Sequence, residues 1–364
     1  MDKELSQVVY SHEYPRRLKA AFIGCGGHAF RNVYSALQYA PVELVAVCDL
    51  KAETASAYAA QFGAQHAYTD HRAMLRDIQP EVVFIVTDYD EHGNPRYPQL
   101  AADCVRAGAH AWIEKPPAAS VAQVEQMIDA ANSTGKQIGV GLKKMFFPAN
   151  RKAHALSRLP EFGQITSVTA RYPQALPPFE DRGDQRKMVS FLDHMVHPHS
   201  LLKLLCGSLE WLFVNRSERN GAAVVSMRFR NGIIGTLHFS HGQGGSSFLE
   251  RTEIVGEGAN IVVDNNIRVT YYRKGGGGGS YGRSGDYFGA SDNAPLVWEP
   301  EFSLGQLYNK GIFLLGYVPE ILHFTTRLLN NEGPEYGTLE DAREMLRVYD
   351  AYRRPDEMIQ RIAE

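Results

Sequence analysis

The sequence predicts an α/β protein in two parts, a parallel sheet covered by helices on both faces and then a mostly antiparallel sheet. Three observations predict it. From Leu18 to Val140 short apolar runs alternate with helical stretches, and each run is continuously apolar, as in strands buried on both faces. After Gly141 strand-like segments follow one another with few helices between, and Asn231-Gly232 joins two of them by a strong hairpin signal. A length of 364 residues exceeds one ordinary core, so two domains are expected. We divide the chain into an arm (1–17), a first domain (18–140) and a second domain with C-terminal helices (141–364).

In the first part, Leu18–Gly24, Glu43–Cys48, Val82–Val86, His110–Ile113 and Gln137–Val140 read as strands. Phe30–Tyr39, Ala52–Phe62, His71–Ile78, Tyr97–Ala107 and Val121–Ser133 read as the helices between them, Gly63 stopping the second. In the second part Ile165–Arg171, Trp211–Arg216, Val224–Phe229, Ile233–Phe239, Arg251–Val255, Asn260–Val263 and Arg268–Tyr272 are strand candidates. Phe313–Leu329 and Leu339–Tyr352 close the chain as helices, the latter N-capped by Thr338. Gly275–Gly279 and the S-Y-G-R-S-G-D-Y-F-G that follows are low in complexity and form a loop.

Composition narrows the function. Hydrophobic content of 44% and charged content of 22% describe a globular chain. A net charge of −3 gives no electrostatic reason to bind nucleic acid. No apolar run of about 18 residues spans a membrane, and the N-terminus lacks the apolar core of a secretion signal. Cys25, Cys48, Cys104 and Cys206 form no CxxC pair, which points to reduced thiols in a cytoplasm rather than a zinc site.

Three stretches carry chemistry. Gly24-Cys25-Gly26-Gly27-His28-Ala29 lies between a strand and a helix. Gly24 permits a tight turn, Gly26 lets a pyrophosphate approach the backbone, and the small Ala29 lets helix and strand lie close. Asp49 ends the second strand about 20 residues further on, where it can bind both hydroxyls of an adenosine ribose. Its charge repels a 2′-phosphate, so NAD is expected over NADP, a preference that nearby Lys51 tempers. The second stretch, Ala111–Pro117 (A-W-I-E-K-P-P), ends a buried strand on Glu114 and Lys115, with Pro116 stopping it. In an open α/β sheet that is where ligands sit. In the third, Phe191–Gly207, Asp193 and His197 are four apart and share a face if helical, so the carboxylate can orient the imidazole as a general base. Pro198 is expected to kink or begin that helix. His194, His197, His199 and Asp193 match no usual zinc spacing, and no metal is expected.

These motifs resemble the glucose–fructose oxidoreductase / inositol dehydrogenase (Gfo/Idh/MocA) family over roughly Leu18 to Leu346. The likeness rests on G-C-G-G-H-A with Asp49, Glu114-Lys115-Pro116, the run Val140–Pro148, and Asp193 with His197. It implies a Rossmann domain followed by an α/β domain with an open-faced, mostly antiparallel sheet, paired as a homo-dimer or homo-tetramer. It also makes Lys115 the active-site lysine, Asp193 and His197 its acid–histidine pair, and Lys144 a residue near the substrate. Gly24, Gly26, Gly27, His28, Ala29, Asp49, Thr87, Asn94, Glu114 and Lys115 are the expected cofactor contacts, and Lys144, Tyr172 and His194 the expected substrate contacts. The chain departs from the family's T-P-N-x-x-H segment: Thr87 is followed by a longer D-Y-D-E-H-G-N-P-R-Y insertion, in which Asn94 and Tyr97 take the Asn and His places.

The resemblance implies an NAD-dependent dehydrogenase acting on a secondary hydroxyl of a sugar, glycoside or cyclitol, with Lys115 or His197 as the base. A neutral substrate suits the absence of an obvious basic pocket, although Lys143, Lys144, Arg171 and Arg182 leave a carboxylated sugar open. Tyr172, Phe146 and Phe147 are placed against a sugar face, with the core as the alternative for the two phenylalanines. The alternatives are an NAD-using glycosidase acting by transient oxidation and elimination, and a non-catalytic NAD-dependent sensor. The aromatic and charged residues of Gly275–Gly289 lead us to expect that loop at the active-site mouth, admitting glycosides, with a disordered surface excursion as the alternative.

Overall fold

The computed structural model describes residues 13–274, 294–300 and 310–363. The greater part of the arm, and the whole of Gly275–Gly289, lie outside the described residues.

β1 (Leu18–Ile23), β2 (Val42–Cys48), β3 (His66–Tyr68), β4 (Val82–Ile85), β5 (His110–Glu114) and β6 (Ile138–Gly141) form one sheet in the order β3-β2-β1-β4-β5-β6. Every pairing in it is parallel. The order reverses between β1 and β4, which opens a crevice at the carboxyl ends of these two strands. Burial of β4 at every position explains its unbroken V-V-F-I run. On one face Ala21, Ile23, Val83 and Ile113 pack on helix residues that include Met74, Val105, Val124 and Met127. The other face, with Phe22, Phe84 and Trp112, is covered by Val33 and Tyr34 and by Ile312, Tyr317, Val318, Ile321 and Phe324. These last come from the far end of the chain, so C-terminal helices complete the first sheet.

Those helices differ from expectation. Phe313–Leu329 is not one helix but two, Lys310–Leu314 and Tyr317–Leu329. Gly316 between them takes φ +79°, and a Cβ there would lie 2.6 Å from the carbonyl oxygen of Lys143. The close approach of the two segments therefore requires the break. The first helix also departs from regularity: Ala29–Tyr34 is wound as a π-helix before Ser35–Leu37.

The second sheet is built from β7 (Ile165–Tyr172), β8 (Leu209–Arg216), β9 (Ala223–Phe229), β10 (Ile234–Phe239), β11 (Arg251–Gly256), β12 (Asn260–Asp264), β13 (Arg268–Tyr272), β14 (Leu296–Trp298) and β15 (Ile359–Arg361). Their order is β14-β13-β12-β11-β7-β10-β9-β8-β15, antiparallel except between β7 and β10. Along β9, Ala223, Val225, Met227 and Phe229 are buried while Val224, Ser226 and Arg228 are exposed. That alternation is what a sheet with one covered and one open face requires.

The covered face packs on a long helix, Gln185–Cys206, through Phe191 and Leu205 among others. Pro198 neither begins nor ends this helix, which runs through it. Thr338 caps Leu339–Tyr352 as expected, in a reciprocal capping box with Asp341. Arg182, 1% exposed, grips Asp356 with two hydrogen bonds of 2.7 Å and also donates to the carbonyls of Pro177 and Tyr352. It ties the chain end to the second domain and is not part of a basic pocket. Among the described residues no helix is long and apolar enough to cross a membrane.

Candidate active site

A cleft of about 950 Å³ opens at the carboxyl ends of β1, β2 and β4, lined by residues 24–29, Asp49, Lys51, Thr87 and Asn94 among others. Gly24 has φ +105°, and a Cβ there would lie 1.8 Å from the carbonyl oxygen of Val86. Only glycine fits between β1 and β4 at that point. A Cβ at Gly26 or Gly27 would meet nothing within 4 Å, so both leave backbone open to the cleft. Asp49 closes β2 against this turn, accepting from Cys25 N at 2.9 Å and Lys51 N at 3.0 Å. Thr87 Oγ1 is buried with no hydrogen-bond partner among the described residues, a polar atom available to a bound group. Glycine backbone, a carboxylate at the second strand and an unsatisfied hydroxyl on the same cleft fit a dinucleotide.

His28 joins this cleft to the chemistry-bearing strand end. Its Nε2 lies 3.0 Å from Glu114 Oε1, and Lys115 N donates to Glu114 Oε2 at 2.8 Å. Burial alone would raise the Glu114 carboxyl, but His28, then Lys115, hold it below the ordinary range. Tyr317 OH is 3.3 Å from His28 Nε2 and accepts from Lys143 Nζ at 3.0 Å. The C-terminal helix thus reaches the cofactor side of the site.

Lys115 Nζ donates to Asp193 Oδ1 at 2.7 Å, joining β5 to the long helix. The same oxygen accepts from Tyr89 OH at 2.7 Å. Burial would raise the Asp193 carboxyl, yet Lys115, then Tyr89, keep it below the usual carboxylate range. This corrects the expected Asp193–His197 hydrogen bond. The carboxylate goes to an ammonium and a phenol, because a charge-assisted bond outcompetes one to a neutral ring.

His197 is 8% exposed, and burial, then the charges of Lys115, Lys143 and Lys144, push it well below the ordinary histidine range. It is therefore uncharged at neutral pH. The Tyr172 ring lies 6.3 Å from it, centroid to centroid. Lys144, expected to face substrate, pairs with Glu250 and sits 5.3 Å from the rings of both Phe147 and Tyr172. Phe146 and Phe147 are buried, and so is Tyr172. His194 is half-exposed, its Nδ1 2.8 Å from Ser190 O and 3.7 Å from Asp193 Oδ2. His199 turns away into the core, its Nε2 2.8 Å from Tyr352 OH. Asn94 braces the insertion through Asp90, and Tyr97 OH donates to Thr87 O at 3.1 Å.

Sequence reading missed Tyr89, Tyr317 and Glu250 at the site. Each meets its partner across more than 100 residues of chain, a separation that leaves no local signal.

A dinucleotide cleft beside a half-buried lysine–carboxylate pair and a buried histidine fits an oxidoreductase with a nicotinamide cofactor. Residues 18–142 match the oxidoreductase family with an NAD-binding Rossmann fold, and residues 150–262 match the GFO/IDH/MocA C-terminal domain. The chain belongs to the GFO/IDH/MocA family. It is 30% identical over 129 residues to glycosyl hydrolase family 109 protein 2 of Akkermansia muciniphila, covering 33% of this chain and 26% of that protein. It is 25% identical over 243 residues to myo-inositol 2-dehydrogenase of Thermotoga maritima, covering 62% and 69% of the two chains. To D-glucoside 3-dehydrogenase of Escherichia coli it is 31% identical over 157 residues, 42% of this chain and 43% of that one. The fold is similar to that of levoglucosan dehydrogenase solved with NADH and levoglucosan, with a TM-score of 0.74 at 19% identity, covering 96% and 100% of the two chains.

Proposed function

We propose that this protein is an NAD-dependent dehydrogenase that oxidises a secondary hydroxyl of an uncharged sugar, glycoside or cyclitol. The observation that carries this is the Lys115–Asp193 pair, 2.7 Å apart, set between the dinucleotide cleft and the uncharged His197. Gly24, Gly26, Gly27, His28, Ala29 and Thr87 would hold the cofactor, and Asp49 its adenosine ribose, its charge favouring NAD over NADP. When bound, the nicotinamide supplies the acceptor for the hydride that leaves the substrate carbon. Lys115 directs an N–H toward the reacting oxygen and stabilises negative charge as it develops there. Asp193 fixes the ammonium in that direction. His197, kept neutral, has a lone pair free to take the hydroxyl proton. Burial, then the lysines around it, favour its uncharged form.

Charge balance supports an uncharged substrate. Lys115 is matched by Asp193 and Lys144 by Glu250, while Glu114 lies near enough to Lys143 to act on it. Among the described residues, Lys115 and Lys144 are thus each engaged by a carboxylate of the protein, which favours a substrate without one. The match to a glycosyl hydrolase family 109 protein keeps a second chemistry in view, in which oxidation is transient and elimination follows. A panel of sugars, glycosides and inositols, followed by the absorbance of reduced nicotinamide, tests the proposal. Net reduction with a neutral member is expected. Glycoside cleavage without net reduction would favour the hydrolase instead, and no reaction with any member would count against both.

We also infer a homo-dimer or homo-tetramer in a reducing cytoplasm. The open face of the second sheet, with Val224 and Ile234 exposed, supports the first, and four free buried cysteines support the second. Sedimentation giving only the 40.6 kDa chain mass would refute self-association.

A further inference from the structure

Resting on the dehydrogenase function proposed above, we propose that Tyr89 is a positioning residue for the Lys115–Asp193 pair, and that the insertion carrying it is the strap that holds it there. Tyr89 stands in the segment by which this chain departs from the T-P-N-x-x-H pattern. Its hydroxyl donates to Asp193 Oδ1 at 2.7 Å, across 104 residues, and Lys115 Nζ donates to that same oxygen. Burial, then the Asp193 charge, raises the phenol far above its ordinary range, so it remains a donor at any working pH.

The strap is built rather than loose. Tyr89 forms a β-bridge with Pro95. Asp90 Oδ1 accepts from His92 N at 2.9 Å and Asn94 N at 2.8 Å, and Asp90 Oδ2 accepts from Asn94 Nδ2 at 3.0 Å. At its tip Gly93 lies against the start of the long helix. A Cβ there would be 3.2 Å from Arg186 Cα, and Gln185 Nε2 donates to Gly93 O at 3.4 Å. The segment leaves the first domain, touches the helix at Gln185, and returns a phenol to Asp193 two turns further along that helix.

The consequence is chemical. A phenol donating to the carboxylate stabilises its ionised form and fixes its rotamer. Asp193 then holds the Lys115 ammonium in one direction, instead of letting a long side chain swing. Tyr89 acts through Asp193 and needs no contact with the substrate.

The test is Tyr89→Phe, which keeps the ring and removes the hydroxyl. The first readout is the Asp193 carboxyl titration, followed by carbon-13 NMR in aspartate-labelled protein without substrate and assigned by its loss in Asp193→Asn. Asp193 faces Lys115 from β5, Tyr89 from the strap and His194 from its own helix, and Tyr97, Tyr172 and Tyr317 feel its charge from further away. All but Tyr89 are unchanged in the variant, so the difference isolates the hydroxyl. We expect the Asp193 midpoint to rise by about one pH unit, the usual size of a lost hydrogen bond to a charged group. We expect kcat to fall about tenfold or more through lost alignment, with NAD binding unchanged. Gly93→Ala, which pushes the strap off Arg186, should move both readouts in the same directions. An unmoved Asp193 midpoint in Tyr89→Phe overturns the proposal, and so does a moved midpoint with unchanged kcat. A moved midpoint in a protein that oxidises no carbohydrate sustains the Tyr89–Asp193 link and sinks the dehydrogenase function instead.

Discussion

Lys115 and Asp193 are 78 residues apart in the chain, yet the ammonium nitrogen of one lies 2.7 Å from a carboxylate oxygen of the other. One stands at the end of a buried strand of the first sheet, the other on the helix that backs the second. The reactive pair is complete only when both domains are docked.

Lys115→Ala should therefore lower turnover by about 10²–10⁴-fold, the usual contribution of a residue that handles the transferred proton or its charge. NAD binding, measured by calorimetry, should be nearly unchanged, because the cleft residues are left intact. Near-normal turnover would remove Lys115 from the chemistry.

Asp49 accepts two backbone N–H groups in this structure and still lines the cleft. Asp49→Ala should weaken NAD binding about tenfold or more, the equivalent of a hydrogen bond from a charged group. It should also narrow the gap between NAD and NADP. Tighter binding of NADP than NAD by the unaltered protein would contradict the placement of the ribose at Asp49.

Stability should fall on the acid side of neutrality. Burial, the leading cause in each case, lowers His110, His154 and His323 to about 4 and His199 to about 3. Unfolded, these rings bind protons near pH 6.5, roughly the free-histidine value. Between about pH 6.5 and 4 the unfolded chain thus holds more protons, and stability must decrease as pH decreases. Asp193 and Glu114, held below the ordinary carboxylate range, extend the loss to lower pH. A melting temperature constant from about pH 7 down to 5 would refute this.

Arg182 and Asp356 form a bidentate pair in which the guanidinium is fully enclosed. Asp356→Ala would strand that charge and should cost about 3 kcal/mol, the low end for a broken buried pair because Asp356 is partly exposed. Urea unfolding measures this. A loss below about 1 kcal/mol would place the pair among ordinary surface bridges.

The parts of this molecule legible in its sequence are those in which neighbours along the chain decide the outcome. β4 announces itself because a strand buried on both faces has to be apolar throughout. Gly24 and Lys115 are legible because strand-end turns constrain residue type locally. β3, β14 and β15 were missed, being three-residue strands with largely exposed side chains. The division at Gly316 is set by the Lys143 carbonyl, far away in sequence. Helical spacing put Asp193 and His197 on one face, but spacing says nothing of a lysine arriving from another sheet. Tyr89, Tyr317 and Glu250 fall in the same class, invisible until the fold brings their partners to them.

The packing of Tyr317–Leu329 on the first sheet bears on how this chain can be cut and recombined. A nucleotide-binding half excised near residue 142 would keep Val33 and Tyr34 over Phe22 but lose the cover of residues 312–328 on that face, an invitation to aggregate. Exchange of that half between relatives would have to move two separate pieces of chain together, because the two share one core. Residues 312–329, read as part of the second domain, belong in this respect to the core of the first.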